Sequence, residues 1–392
     1  MTESPGAIRR AIFTLLLLLS APLLADGTFS TDRYLGRLEL LEPRLCRDCA
    51  RTIPAPDTNH TVEGPRLTGA DIRAVIARAV HQAQALDAVA TVAVTDRVGN
   101  VLAVYRMAGA NPDVRLATTD PGETPIDGGL EGIVLPAAVG GDALAAIAKA
   151  VTGAYLSTSD GNAFTTRTAN QIVQEHFNPG EFNQPSGPLF GVQFSQLACS
   201  DFTLAFAGGA PTPGPKRSPL GLSADPGGLP LYKEDTLVGG VGVMADGEYG
   251  IDRNILDFDR DVDEMIALAA TFGFVPPEDI RSDRITVEGK TLRFTDIEFR
   301  RLAADPASAP AFSTLGPGDG GLIPVPGYSD GTIRDGTVFG STRSGVRSAD
   351  ENVFPGRDAF VFVDSADQNR FPPRAGTDAS ALTAEEVRVI LD

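Results

Sequence analysis

Apolar positions along this chain change their period from one stretch to the next. Ile72, Val75, Ile76, Ala79, Val80, Ala83 and Leu86 recur at helical spacing and predict one helix with a single buried face. Thr68 stands at its start with Asp71 three residues on, a capping-box arrangement whose acid also suits the positive end of the helix dipole. The pattern then switches. In VAVTDRVGNVLAVYRMAGA, Val92 to Ala110, Val92 and Val94 share one strand face, Asp96 to Asn100 form a turn, and Val101 to Tyr105 run back. Gly99 supplies the positive φ that such a turn needs.

Further along, Ala143, Leu144, Ile147, Ala148 and Val151 predict an alanine-rich helix containing Lys149, whose small side chains permit close packing. Leu229 to Tyr232 and Leu237 to Val243 predict a second hairpin about Lys233 to Thr236. Gly239, Gly240 and Gly242 in its return strand leave room for another backbone, a helix or a flat ligand. A helix from about Asp259 to Phe272 follows; its alternating Asp257, Asp259, Asp261 and Asp263 read as a solvated helix start. They lack the Gly and Glu positions of an EF-hand loop. Two long segments interrupt these elements: an acidic loop over 111–141 and an insertion over 157–226 with a short helix predicted from Thr168 to His176. From 273 to 392 the chain is loop-rich. Its last residues, ALTAEEVRVILD, echo RLTGADIRAVIA at Arg66 to Ala77 and read as the start of a possible second repeat.

Composition narrows the function classes. Among 392 residues there are 42 Gly and 29 Pro, so turns and connections take much of the chain. A net charge of −18 repels nucleic acid and anionic lipid, and suits a partner that is small, neutral or cationic. Arg9 and Arg10, the apolar run Ala11 to Leu19 and the small residues up to Ala25 read as a signal peptide over 1–25, which predicts a periplasmic or secreted protein. A Pro-containing arm, 26–64, holds Cys46 and Cys49, and oxidising surroundings favour a local disulfide between them. Cys199 is then the odd thiol. The C-x-x-C pair has neither the following His of a haem-attachment site nor a second pair to complete a zinc site. No nucleophile elbow, phosphate loop, H-E-x-x-H or dinucleotide fingerprint is present, so the chain reads as a binder more than an enzyme.

Three ordered blocks carry a resemblance: VTDRVGNVLAVYRMAGA, AIAKAVTGAY and GGLPLYKEDTLVGGVGV. Together they resemble the GlcG/HbpS-like haem-binding family, also found as the PduO C-terminal-type domain, over about residues 65–272 outside the two insertions. The resemblance implies an α+β fold, a profilin-like antiparallel sheet flanked by helices, and assembly into a homo-oligomer. It also implies haem or a related tetrapyrrole as the ligand. Two departures stand out: the long insertions, and Ala108 where the family carries an acid after Arg-Met.

Haem asks for an apolar slot, an axial donor and cations for its propionates. The histidines are His60, His81 and His176. His60 lies in the arm. His81 and His176 are the candidate iron ligands, although His81 falls on the helix side opposite the Ile72/Val75/Ala79/Ala83 stripe, where a plain surface histidine also fits. Met107 is a further candidate donor or a core filler at a strand end. Arg106 and Lys149, the cations inside matched blocks, are candidate propionate partners or structural partners of Asp96. Two other readings stand beside a haem binder: an enzyme on the same scaffold acting on a small carboxylated or haem-like substrate, and a structural or assembly module binding a partner protein.

Overall fold

A computed structural model describes residues 63–117, 132–174, 177, 187–189, 214–252, 254–349, 359–372, 374–377 and 381–391. The predicted signal peptide, most of the arm with Cys46, Cys49 and His60, and much of the insertion with His176 and Cys199 lie outside the described residues. The chain divides into two units, one over 55–372 and one formed by 1–54 with 373–392.

The larger unit is built on a five-stranded antiparallel sheet. Its strands are β1 (Thr91–Asp96), β2 (Val101–Met107), β5 (Gly228–Lys233), β6 (Thr236–Met244) and β8 (Gly320–Leu322), in the order β8-β2-β1-β6-β5. β1 is central: Val92 faces Tyr105 of β2 on one side and Val243 of β6 on the other. Both predicted hairpins therefore share one sheet. The short strands β3 (Val114–Ala117), β4 (Val134–Leu135) and β7 (Glu248–Gly250) form a second, smaller sheet.

Helices cover both faces, which is why these strands are continuously buried rather than alternating. Helix α1 (Gly69–Ala85) packs its Ile72, Val75, Ile76, Ala79 and Val80 face with Val92, Val94 and Tyr105, joined by Ile266 of helix α4 (Val262–Ala270). On the other face, Ala143, Ile147, Ala150 and Val151 of α2 (Gly141–Tyr155) pack with Ala93 and Val104. The glycines of β6 explain how close α2 comes. A Cβ added at Gly242 would lie 2.0 Å from the Ala146 carbonyl oxygen, and one at Gly240 would lie 2.1 Å from that of Ala150. A helix backbone thus occupies the space the sequence left open there.

The α1 start is capped as expected. Thr68 Oγ1 accepts from the Asp71 amide, and the Asp71 carboxylate accepts from the Thr68 amide at 2.8 Å. Asp96 is spent on its own turn: it accepts from the amides of Val98 and Asn100 and from the side chain of Asn100. Thr337 donates both its amide and its hydroxyl to the same carboxylate.

Described residues between 274 and 372 clothe this body. β8 extends the sheet beside β2, Phe294 and Ile297 enter the α1-side core, and Phe312 packs edge-on against Tyr105 at 5.9 Å. In the insertion, helix α3 (Thr166–Ile172) is capped by Thr165 and buried throughout, two residues earlier than its predicted start. The smaller unit contributes helix α5 (Ala384–Leu391), where Thr383 and Glu386 repeat the Thr68/Asp71 cap. Among the described residues no helix is long and apolar enough to cross a membrane.

Candidate functional site

The cations that the sequence marked out are consumed internally. Lys149 is fully buried where β5 begins and β6 ends, with its Nζ 2.6 Å from Asp225 and 2.5 Å from Asp263. Burial alone would push the ammonium down; the two carboxylates more than reverse this and hold it above its ordinary value. The same burial, only partly offset by Lys149, lifts Asp225 to about 8 and raises Asp263 as well. Asp263 also accepts from the Ala245 amide, which fixes α4 to the end of β6. Lys149 therefore has no face left for a propionate. Its expected alternative partner, Asp96, is replaced by Asp225 and Asp263, because turn amides and Thr337 already saturate Asp96.

Arg106 is likewise spent. It forms a two-pronged pair with Asp142 at the start of α2, Nε at 2.7 Å and Nη2 at 2.5 Å, and Thr91 donates to the same carboxylate at 2.5 Å. Asp142, not Asp96, is its partner. Met107 is 5% exposed inside the α1-side core and pairs in register with Gly320. Packing, not ligation, is what its thioether does there.

A third buried cation was not foreseen. Arg167 on α3 is 1% exposed and reaches Asp252 at 2.8 Å, Asp259 at 3.1 Å and Glu264 at 3.2 Å. Burial raises Glu264 to about 7 against the pull of Arg167. Among the described residues Asp252, Asp257 and Asp259 are the one group whose oxygens converge as metal ligands would. The guanidinium already sits on two of the three, so the cation there is the protein's own.

One place differs. The outer face of α1, opposite its core stripe, is covered by the segment following Ala304, leaving a groove of roughly 370 Å³. Its floor is Ala70, Ala74 and Ala77, and its far wall is formed by Pro306, Pro310 and Phe312. Arg73 and Arg78 line it as well. Among the described residues neither arginine is in an ion pair, and Arg78 Nη1 is buried without a hydrogen-bond partner. The Arg78 guanidinium lies over Phe272 and Phe274, 5.5 and 5.9 Å from their ring centres, and burial holds it below its ordinary value.

His81 lies one turn beyond Ala77 on this same face. Its Nε2 is 3.4 Å from the hydroxyl of Ser308, which stands between the groove residues Ala307 and Ala309. The covering segment is tied down nearby, where the Ala304 amide donates to Gln82 Oε1. A histidine that reads as a surface residue from periodicity is therefore at the end of a groove. His176, the other candidate ligand, lies outside the described residues.

The groove brings together what a flat carboxylated ligand requires: small apolar floor residues, two arginines and an imidazole. His81 is the one predicted donor that the described residues place beside such a slot. Nothing in the α1 sequence pointed to Arg73 and Arg78, since they occupy ordinary solvent-side positions. The signal, in retrospect, is the uncharged stretch PASAPAF at 306–312, too apolar for a free surface loop.

Solved structures resemble this architecture. ORFY of Klebsiella pneumoniae, of family-model DUF336, is 17% identical, with 54% of this chain and 93% of that one covered at a TM-score of 0.30. The PduOC:heme complex is 18% identical, covering 54% and 96%, also at 0.30. A double mutant of Streptomyces reticuli HbpS is 18% identical, covering 57% and 97%, at 0.28. The likeness is one of fold. No family model matches the chain, and no curated protein does.

Proposed function

We propose that this protein is an exported binder of haem or a related tetrapyrrole, held along the outer face of α1. The observation that carries the reading is Arg78, a guanidinium stacked on two aromatic rings with Nη1 buried and unsatisfied beside an alanine floor. Arg78 lines the groove and has no ion pair among the described residues, so its charge is open to a carboxylate there. The resemblance of three sequence blocks to the GlcG/HbpS-like haem-binding family suggests the chemical class.

The residues fit such a ligand laid along the groove. Roughly 370 Å³ is near the lower end of the ~300–1,000 Å³ of enclosing ligand pockets, so part of the macrocycle remains outside. His81 would hold the iron, and Arg73 and Arg78 would meet the propionates. Haem, when bound, supplies the iron chemistry; the protein supplies position, charge and one imidazole. Assembly into a homo-oligomer belongs to the same reading.

Titration of the purified chain with hemin tests it. The expected result is a Soret shift that saturates near one equivalent, with the band displaced or broadened in His81→Ala. Absence of any shift removes the proposal. A shift untouched by His81→Ala removes the assignment of His81.

A further inference from the structure

The groove on α1 has a geometry that speaks to the charge of its occupant, independently of iron. Successive helical residues rotate by about 100° and rise about 1.5 Å. Ala70, Ala74 and Ala77 therefore form one strip, and Arg73 and Arg78 leave the helix on opposite flanks of it, about 7.5 Å apart along the axis. The floor offers nothing beyond methyl groups, so a flat body can lie close to the helix backbone. The wall of Pro306, Pro310 and Phe312 closes over it without adding a charge.

The charge pattern is unusual for this molecule. The chain carries 51 acidic against 33 basic side chains, yet the groove lining holds two arginines and no carboxylate. The fully buried cations Lys149 and Arg167 have anions to match them, Asp225 and Asp263 for the first and four carboxylates within 3.5 Å for the second, whereas half-buried Arg97 is stacked on Phe339. Arg78 has only the faces of Phe272 and Phe274, and its Nη1 has no acceptor. Ring faces orient a guanidinium but satisfy none of its N–H groups.

Building on the tetrapyrrole reading, we infer that the groove selects its ligand by a pair of carboxylates, with Arg78 as the specificity-determining contact and the metal dispensable. The class is a flat, apolar dianion. Arg78 receives one carboxylate at the wall it lines, and Arg73 on the more exposed flank receives the other. His81 then adds affinity only when a metal is present. A lysine at position 78 keeps the charge but loses the planar fork and the stacking that aims it.

Fluorescence titrations of the full chain with metal-free protoporphyrin IX and with its dimethyl ester test this directly. The diacid is expected to bind at least tenfold more tightly than the ester. Arg78→Lys should weaken the diacid by about tenfold and the ester by less. Equal affinity for diacid and ester overturns the inference, whatever the variants do. Hemin binding that responds to His81→Ala, combined with equal diacid and ester affinities, overturns this inference alone. Failure of hemin, diacid and ester alike overturns the tetrapyrrole reading with it.

Discussion

Helices α1 and α2 flank the same sheet, yet their cations meet opposite fates. On α2 and the strand facing it, Lys149 and Arg106 are locked to carboxylates drawn from distant parts of the chain, Asp225 and Asp263 for one and Asp142 for the other. On the outer face of α1, Arg73 and Arg78 are left without carboxylates in a molecule rich in them. A cation inside a buried, fully matched cluster is part of the framework. A cation desolvated without a match is available to a ligand. Position within a family-like block does not tell these apart, whereas the partner list does.

The comparison can be broken most forcefully at Lys149. Lys149→Ala strands Asp225 and Asp263 in the interior without their counter-charge, and such a loss costs about 3–5 kcal/mol. A urea melt that hardly moves would show the cluster to be dispensable. Gly242→Ala comes next: its methyl would meet the Ala146 carbonyl at 2.0 Å and force α2 off the sheet. Overpacking of this kind costs about 1–3 kcal/mol, and an unchanged thermal midpoint would contradict the described packing.

Acidity sharpens the same contrast. Asp225 is lifted to about 8 and Glu264 to about 7, so between pH 4 and 8 the folded chain keeps protons that an unfolded chain releases. Stability should therefore fall as pH rises through this window. Asp225→Asn should flatten that slope, as read from urea midpoints at pH 5, 6.5 and 8. A slope of the opposite sign, or one identical in the variant, would count against the buried arrangement. The smallest effect is expected from Thr68→Ala, which removes the α1 cap at a cost of about 1 kcal/mol, measurable as a shift in the melt.

Much of the framework was legible in the residues. Thr68 and Asp71 announced the α1 cap, Gly99 the first turn, and Gly240 and Gly242 a surface that something approaches closely. These are local features, and local physics determines them. The partners of Arg106 and Lys149 were not legible, because Asp142, Asp225 and Asp263 are brought in by tertiary folding across 36, 76 and 114 positions. Asp96 was nearer in sequence but was consumed by its own turn. The groove was hidden for a related reason. His81, Arg73 and Arg78 have the periodicity of a solvent face, and only the fold shows that residues 304–313 lie over it. Arg167 shows the same limit: a lone arginine in a polar insertion became the hub of four carboxylates.

The most direct test of where the ligand lies is a hydrogen-exchange footprint at saturating hemin. Slowed exchange is expected in peptides covering 69–81 and 304–315, with those covering 141–155 and 225–249 unchanged. Protection confined to the latter pair would place the ligand at the Lys149 side of the sheet and contradict this expectation.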